Sequence, residues 1–241
     1  MKNIVDIIII IFILLSGIMG WKRGVFKQLV LCVGTILIFY LAYKFKDPVG
    51  DWFLLNTSLP MFDFPNLFKG VITLNILVYQ TLAFVVVLAV LLIIFDIILS
   101  ITGLFEKLLR ITIILGVPSK ILGFIGGLIE GYVIAFVILF FLTQPAFSFS
   151  FFQDSDLSKR ILTSSPVLSD IAGDTVSVIE DIYKLKDEKN TTVLNQKTLD
   201  MMLDKKVVSY KTANELYKKG KINFDGIESI LDKYKDQDQK W

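Results

Sequence analysis

The sequence contains no histidine and only one cysteine in 241 residues. Without histidine there is no Ser-His-Asp or Cys-His arrangement, no imidazole general base and no His-based zinc site. Cys32 alone permits no intramolecular disulfide, no CxxC redox pair and no cysteine zinc cluster. It lies inside an apolar run and reads as a small buried hydrophobe. The chain also lacks a GxxxxGK(S/T) phosphate loop, a GxSxG elbow and an EF-hand loop. Ser119 and Lys120 are adjacent, which points them to different faces of a helix and is not dyad geometry. The expectation is a protein that is not an enzyme and holds no cofactor or metal. Nucleic acid is not an expected partner, because the C-terminal part carries no basic stripe.

Charge is also scarce, and unevenly so. The chain is 54% hydrophobic and 20% charged, with a mean hydropathy of +0.65 and a formal net charge of +2. Residues 1–143 hold ten Lys/Arg and seven Asp/Glu; the remaining fifteen and sixteen fall in residues 144–241. An apolar region is thus joined to an ordinary polar one, and the net charge hides the asymmetry.

A hydrocarbon layer about 30 Å thick is crossed by about 20 apolar residues as helix. Four runs have that length: residues 4–20, 25–43, 76–101 and 121–142. The fold class expected is all-α: a four-span transmembrane helical domain over residues 1–145, then a small helical extramembrane module over 153–241. The first run has only Lys2 before it and no A-x-A site after it, so it reads as an uncleaved span rather than a signal peptide. Topology follows Lys and Arg in the short loops. Lys22, Arg23 and Lys27 mark one turn, and Lys107, Arg110 and Lys120 the other. Lys2, Lys44, Lys46 and Lys69 lie on the opposite side. Six against four places both basic turns in the cytoplasm and the C-terminal module outside it, although Lys159 and Arg160 would even the count. Residues 44–74, with Trp52, Phe53, Phe62, Phe64 and Phe68, read as interfacial aromatics or a re-entrant piece. Residues 104–109 read as a short amphipathic interfacial turn.

Two small-residue stripes stand out. Gly123, Gly127, Gly131 and Ala135 recur every four residues in span four; Gly17, Gly20 and Gly24 do much the same from span one. Such stripes let helix backbones approach closely in lipid, where no hydrophobic drive favours association. They are natural partners, within one chain or between chains. Glu130 lies close to the glycine face near mid-span, where an ionised carboxylate costs about 2.5 kcal/mol or more. It must be protonated, face the bundle or find a partner, and Lys27, Gln28 and Lys120 are candidates. Asp96 lies towards the cytoplasmic end of span three, and Asp6 near the start of span one, where it reads as a solvated helix end. Asp6, Asp96 and Glu130 are the intramembrane polar candidates, serving an ion or proton path or a polar lock between helices.

These residues carry a family resemblance. Asp6, then Arg23-Gly24 and the basic Lys27, together with residues 119–131, resemble the colicin V production protein family. Its pattern D-R-x-L-G-x-x-x-G-x-x-R-G is met here at Leu122, Gly123, Gly127 and Gly131. Ser119 stands for the family's Asp, Lys120 keeps the first positive charge, and Glu130 reverses the second. The resemblance covers residues 1 to about 145. It implies a small four-span protein of the bacterial plasma (inner) membrane, associated with toxin (colicin V) production or export and with cell-envelope maintenance. Some relatives attach an extracytoplasmic serine protease to the four spans; a tail without histidine is not that protease. The role expected is a membrane scaffold or assembly factor, and the alternative is a small transporter or channel subunit with a path through Glu130 and Asp96.

The polar region reads as short helices. Ser165-Pro166 looks like an N-cap and first helical residue of a segment reaching Leu185. Residues 186–192 look like a polar break. Units at 197–205, 211–219 and 225–234 follow, with Ser209 and Asp225 as caps, Gly220 as a stop and the last residues frayed. No acid pair or ligand loop stands out, so the expected partners are the lipid bilayer, a second copy of the chain or an envelope protein meeting these C-terminal helices.

Overall fold

The computed structural model describes residues 4–57, 60–62, 64, 68–101, 104–144 and 155–236, with side chains throughout except at 104–116. The side chains of Lys107 and Arg110, Lys2 and the last residues therefore lie outside what is described. Among the described residues there are nine helices and no strand: α1 (Ile4–Arg23), α2 (Val25–Asn56), α3 (Leu74–Ile101), α4 (Leu104–Leu142), α5 (Asp156–Ser164), α6 (Leu168–Lys184), α7 (Thr191–Asp204), α8 (Tyr210–Lys218) and α9 (Ile227–Tyr234). The first four are long and apolar enough to cross a membrane, and the spanning part of α4 is Val117–Leu142. Their outward faces are greasy: Ile7, Ile11, Leu14 and Ile18 of α1 and Ile93, Ile94, Ile97 and Ile98 of α3 are exposed. In a bilayer those faces meet lipid, which is why the sequence leaves them apolar.

Two helices outrun their predicted spans. At 1.5 Å per residue the 32 residues of α2 cover about 48 Å. Its last turns, which the sequence suggests as loop, continue through Pro48 into the polar region. The interfacial turn expected at 104–109 is instead the first part of α4, which runs unbroken through Pro118. Both stretches are rich in Leu, Phe and Lys, good or neutral helix formers, and one proline in each leaves enough neighbouring bonds to carry the helix.

α1 packs along α4, and α2 packs on both α3 and α4, while α3 and α4 meet only sparingly. One core fills the tail-side half of the spans. Phe39, Phe84, Phe136 and Phe140 pack edge to face there, with ring centroids 5.5–5.9 Å apart, and Ala135 is buried beside them. Ile161 and Leu162 of α5 and Leu168, Ala172 and Val176 of α6 close this core from below. The second core joins Leu54 of α2, Phe64, Phe68, Val71 and the start of α3 to apolar residues of α6–α9 such as Leu199, Leu216 and Tyr234. The interfacial reading of residues 44–74 is therefore corrected for Phe64 and Phe68, which are buried against the tail, while Trp52 and Phe62 are exposed. Aromatic density alone does not distinguish a lipid interface from a protein core.

Polar bonds fasten the same junction. Asn195 accepts from Thr73 N and Oγ1, both at 3.1 Å, and donates to the Gly70 carbonyl. The Lys221 ammonium donates to the carbonyls of Leu54 and Thr57. Tyr43 bonds Thr175 at 2.8 Å, and Tyr132 bonds Ser165 at 2.6 Å.

The tail's local structure departs from its reading in three places. Ser165 closes α5 instead of capping α6, which begins three residues later behind Val167 at φ 67. Asn190 accepts from the amides of Thr192 and Val193, so α7 starts inside the expected break. Gly226, at φ 85, rather than Asp225, precedes α9. Ser209 caps α8 as read, accepting from Thr212 N, and Gly220 takes the positive φ that ends it. Gly173, inside α6, serves no such purpose, since a Cβ there would meet nothing within 4 Å. Gly173→Ala is expected to raise stability by about 0.5–1 kcal/mol, seen as a higher melting temperature.

Candidate functional site

The α1–α4 contact is made almost backbone to backbone. A Cβ on Gly20 would collide with the Gly123 carbonyl oxygen and lie 2.9 Å from Gly127 Cα. One on Gly127 would lie 2.5 Å from the Ser16 carbonyl oxygen and 3.0 Å from Gly17 Cα. Gly17 faces Leu128 and Phe124, Gly131 faces Ser16, and Gly123 abuts Gly24. The two stripes are thus partners within one chain. Gly24 adds a second requirement, since it turns the chain from α1 into α2 at φ 75.

Close approach brings three polar groups together beside the glycines. Glu130, 7% exposed, accepts from Gln28 Nε2 at 2.6 Å and from Arg23 Nη1 at 3.1 Å. Arg23 Nη1 also reaches Gln28 Oε1 at 3.5 Å. Gly126, which lies off the stripe, makes the room: its Cβ would come 2.9 Å from Gln28 Cγ. Of the partners suggested by sequence, Gln28 is found at Glu130, whereas Lys120 is exposed on α4. The cation at Glu130 is Arg23, which the sequence marks only as a topology signal. Its chain order, at the end of α1, conceals that the α1–α2 turn folds back over α4. Ser119, at the family's Asp position, accepts from Val25 N at 3.1 Å and so serves the free amide at the start of α2.

Asp6 is not a solvated helix end. Its carboxylate accepts from Ser155 Oγ and, at 3.3 Å, from Leu157 N. Negative charge at the N-terminus of α5 is favourable there. The same contact puts the beginning of α1 and the tail on one side of the molecule.

Asp96 lies apart from Glu130 in sequence but shares a cleft with it. This cleft, about 670 Å³, opens between α3 and α4 over α2. Arg23, Lys27, Asp96 and Glu130 give it charge, and Leu31, Leu88, Phe95 and Ile134 give it apolar walls. Phe95 enters the space left by Gly34, whose Cβ would collide with its ring. Lys22 is exposed at the same end. An apolar trough with acids of two helices in its lining can admit water or an amphipathic group.

A polar seam where α2 leaves its span has no counterpart in the sequence reading. Lys46 is 3% exposed, with Nζ 2.5 Å from Asp47 Oδ1 and 4.5 Å from the Tyr43 ring centre. Thr81 bonds Gln144 at 2.9 Å close by. An isolated lysine in an expected loop gives no signal of this burial.

Compared with protein families, the chain matches the model of the colicin V production protein over residues 5–166. The match runs from the first turn of α1 through α5 and stops just before α6. Neither the curated proteins nor the solved structures provide a match.

Proposed function

Since the chain belongs to the colicin V production protein family, we propose that it is a non-enzymatic scaffold or assembly factor. It acts in toxin (colicin V) production or export, or in cell-envelope maintenance, from the bacterial inner membrane with its tail extracytoplasmic. The observation that carries this reading is the shared core of α2, α3 and α6–α9. A tail whose apolar residues interdigitate with the span ends moves with the membrane domain, so a contact made by the tail is held in fixed register to the bilayer. The outward surfaces of α6–α9 are polar and meet a second copy or an envelope protein.

Photo-crosslinkers placed at the exposed positions Glu180 and Glu228 in intact cells test this. Capture of a defined envelope protein, or of the chain itself, is expected; no adduct at either position would sink the scaffold reading. A periplasmic reporter fused after Asp156 is expected to be active, and a cytoplasmic-only signal would overturn the orientation.

The shared cleft of Asp96 and Glu130 favours one second reading, a transporter or channel subunit. In that case Glu130→Gln and Asp96→Asn each abolish flux in folded protein. If both variants function while Gly127→Leu does not, transport is excluded.

A further inference from the structure

The first helix of the tail lies beside the spans rather than beyond them. A Cβ on Gly131 would lie 3.3 Å from Ile13 Cα, which sets the antiparallel register of α1 and α4. Asp6 precedes Ile13 by seven residues, so it stands about 10 Å nearer the tail than that crossing. There it meets Ser155 and Leu157 at the start of α5. Past the other end of α5, Ser165 Oγ bonds Tyr132 Oη. Tyr132 stands ten residues before Leu142, about 15 Å inside the end of α4 and further than a tyrosine side chain reaches. α5 thus descends along α1 and α4, and the α5–α6 turn is its deepest point. α6 leads back out, past Tyr43 at Thr175 and past Phe68 at Tyr183.

The neighbouring surface at this height is hydrocarbon-facing. Ile4, Ile7 and Ile8, which flank Asp6 on α1, are 45–64% exposed. α5 presents the opposite chemistry. Ser158, Ile161 and Leu162 are buried, whereas Asp156, Lys159, Arg160, Thr163 and Ser164 are exposed on the other side of the helix. Lys159 and Arg160 form no ion pair with any residue. Asp156, the acid on this face, stands at the outer end of α5. Val167 in the turn is 58% exposed and holds φ 67, a conformation that a β-branched residue rarely adopts.

We propose that this face binds anionic phospholipid of the tail-side leaflet, with Lys159 and Arg160 on the phosphate and Val167 against the acyl chains. A cation at the level of exposed isoleucines is costly unless it reaches a head group or draws the leaflet inward. Phosphate is the anion that a bilayer supplies at that edge, and a guanidinium can hold two of its oxygens at once. The strained turn keeps an apolar side chain pointed out of the protein, where only lipid rewards it. This surface is separate from the Glu130 cleft and does not rest on the scaffold reading.

The test uses the full chain in nanodiscs of equal phosphatidylglycerol and phosphatidylcholine, with retained lipid counted by native mass spectrometry. Wild type is expected to retain phosphatidylglycerol in preference. Lys159→Gln with Arg160→Gln is expected to lower that preference about tenfold, with an unchanged melting temperature, since both side chains are exposed. Lys197→Gln with Lys235→Gln removes two exposed charges elsewhere in the tail and is expected to leave it unaltered. No loss in the first double variant, or equal loss in both, overturns the site. A dimer that the first variant alone abolishes would assign the face to a second copy and overturn it equally. Depth is read from a fluorophore at Val167→Cys in Cys32→Ser protein, which doxyl groups on lipid acyl chains are expected to quench. An unquenched probe would put the turn clear of the hydrocarbon and end the proposal.

Discussion

Gly20→Leu is expected to yield no monodisperse folded protein in detergent. The Cβ alone would already collide with the Gly123 carbonyl oxygen, and a main-chain atom cannot rotate away as a side chain can. The smaller Gly20→Ala forces α1 and α4 apart by part of an ångström over several turns, at a cost of about 1–3 kcal/mol. The leucine variant separates them fully, and a loss of more than about 4 kcal/mol would consume most of an ordinary stability margin. Size-exclusion profiles and melting curves of the two variants beside Gly173→Ala give the check. A Gly20→Leu protein that elutes and melts like wild type would mean that α1 and α4 do not meet at these glycines.

Arg23→Leu is expected to cost about 3 kcal/mol, the low end of the range for breaking a buried pair. The low end applies because the Arg23 side chain retains 32% exposure, whereas that of Glu130 retains 9%. The loss comes from a buried carboxylate that keeps its Gln28 bond but loses the Arg23 guanidinium. Glu130→Gln keeps a group that Gln28 and Arg23 can still bond, and it costs about 1 kcal/mol. Glu130→Arg places like charges together and is the most damaging of the three. Adding Arg23→Glu to Glu130→Arg restores opposite charges across the pair that now meets at 3.1 Å, so it is expected to recover part of the loss, measured as melting temperature across the double-mutant cycle. If the double variant is no better than Glu130→Arg, the two side chains do not pair.

The spans are legible in the sequence because length and apolarity are local properties, and lipid leaves no other use for them. The glycine stripes are legible for a similar reason: a four-residue period survives in any helix. What periodicity does not give is the offset between helices. That offset decides that Arg23, rather than Lys120, meets Glu130, and that Gly126 is a socket for Gln28. Asp6 and Phe64 mislead because their partners, Ser155 and the tail core, lie more than a hundred residues away in sequence. In the tail, Asn190 does not stand out as a cap because apolar spacing becomes clear only at Leu199, well inside the helix.

The common core of the span ends and α6–α9 also bears on biogenesis. During synthesis the last helices emerge after the four spans are already made, and their apolar faces find Leu54, Val71 and Leu77 only on the side where α1 begins. A chain inserted with its tail left on the wrong side has nowhere to bury Leu199, Leu216 and Tyr234. Such a chain presents exposed apolar surface to the quality-control proteases. Folding of the tail is thus conditional on its lying on the same side as the start of α1.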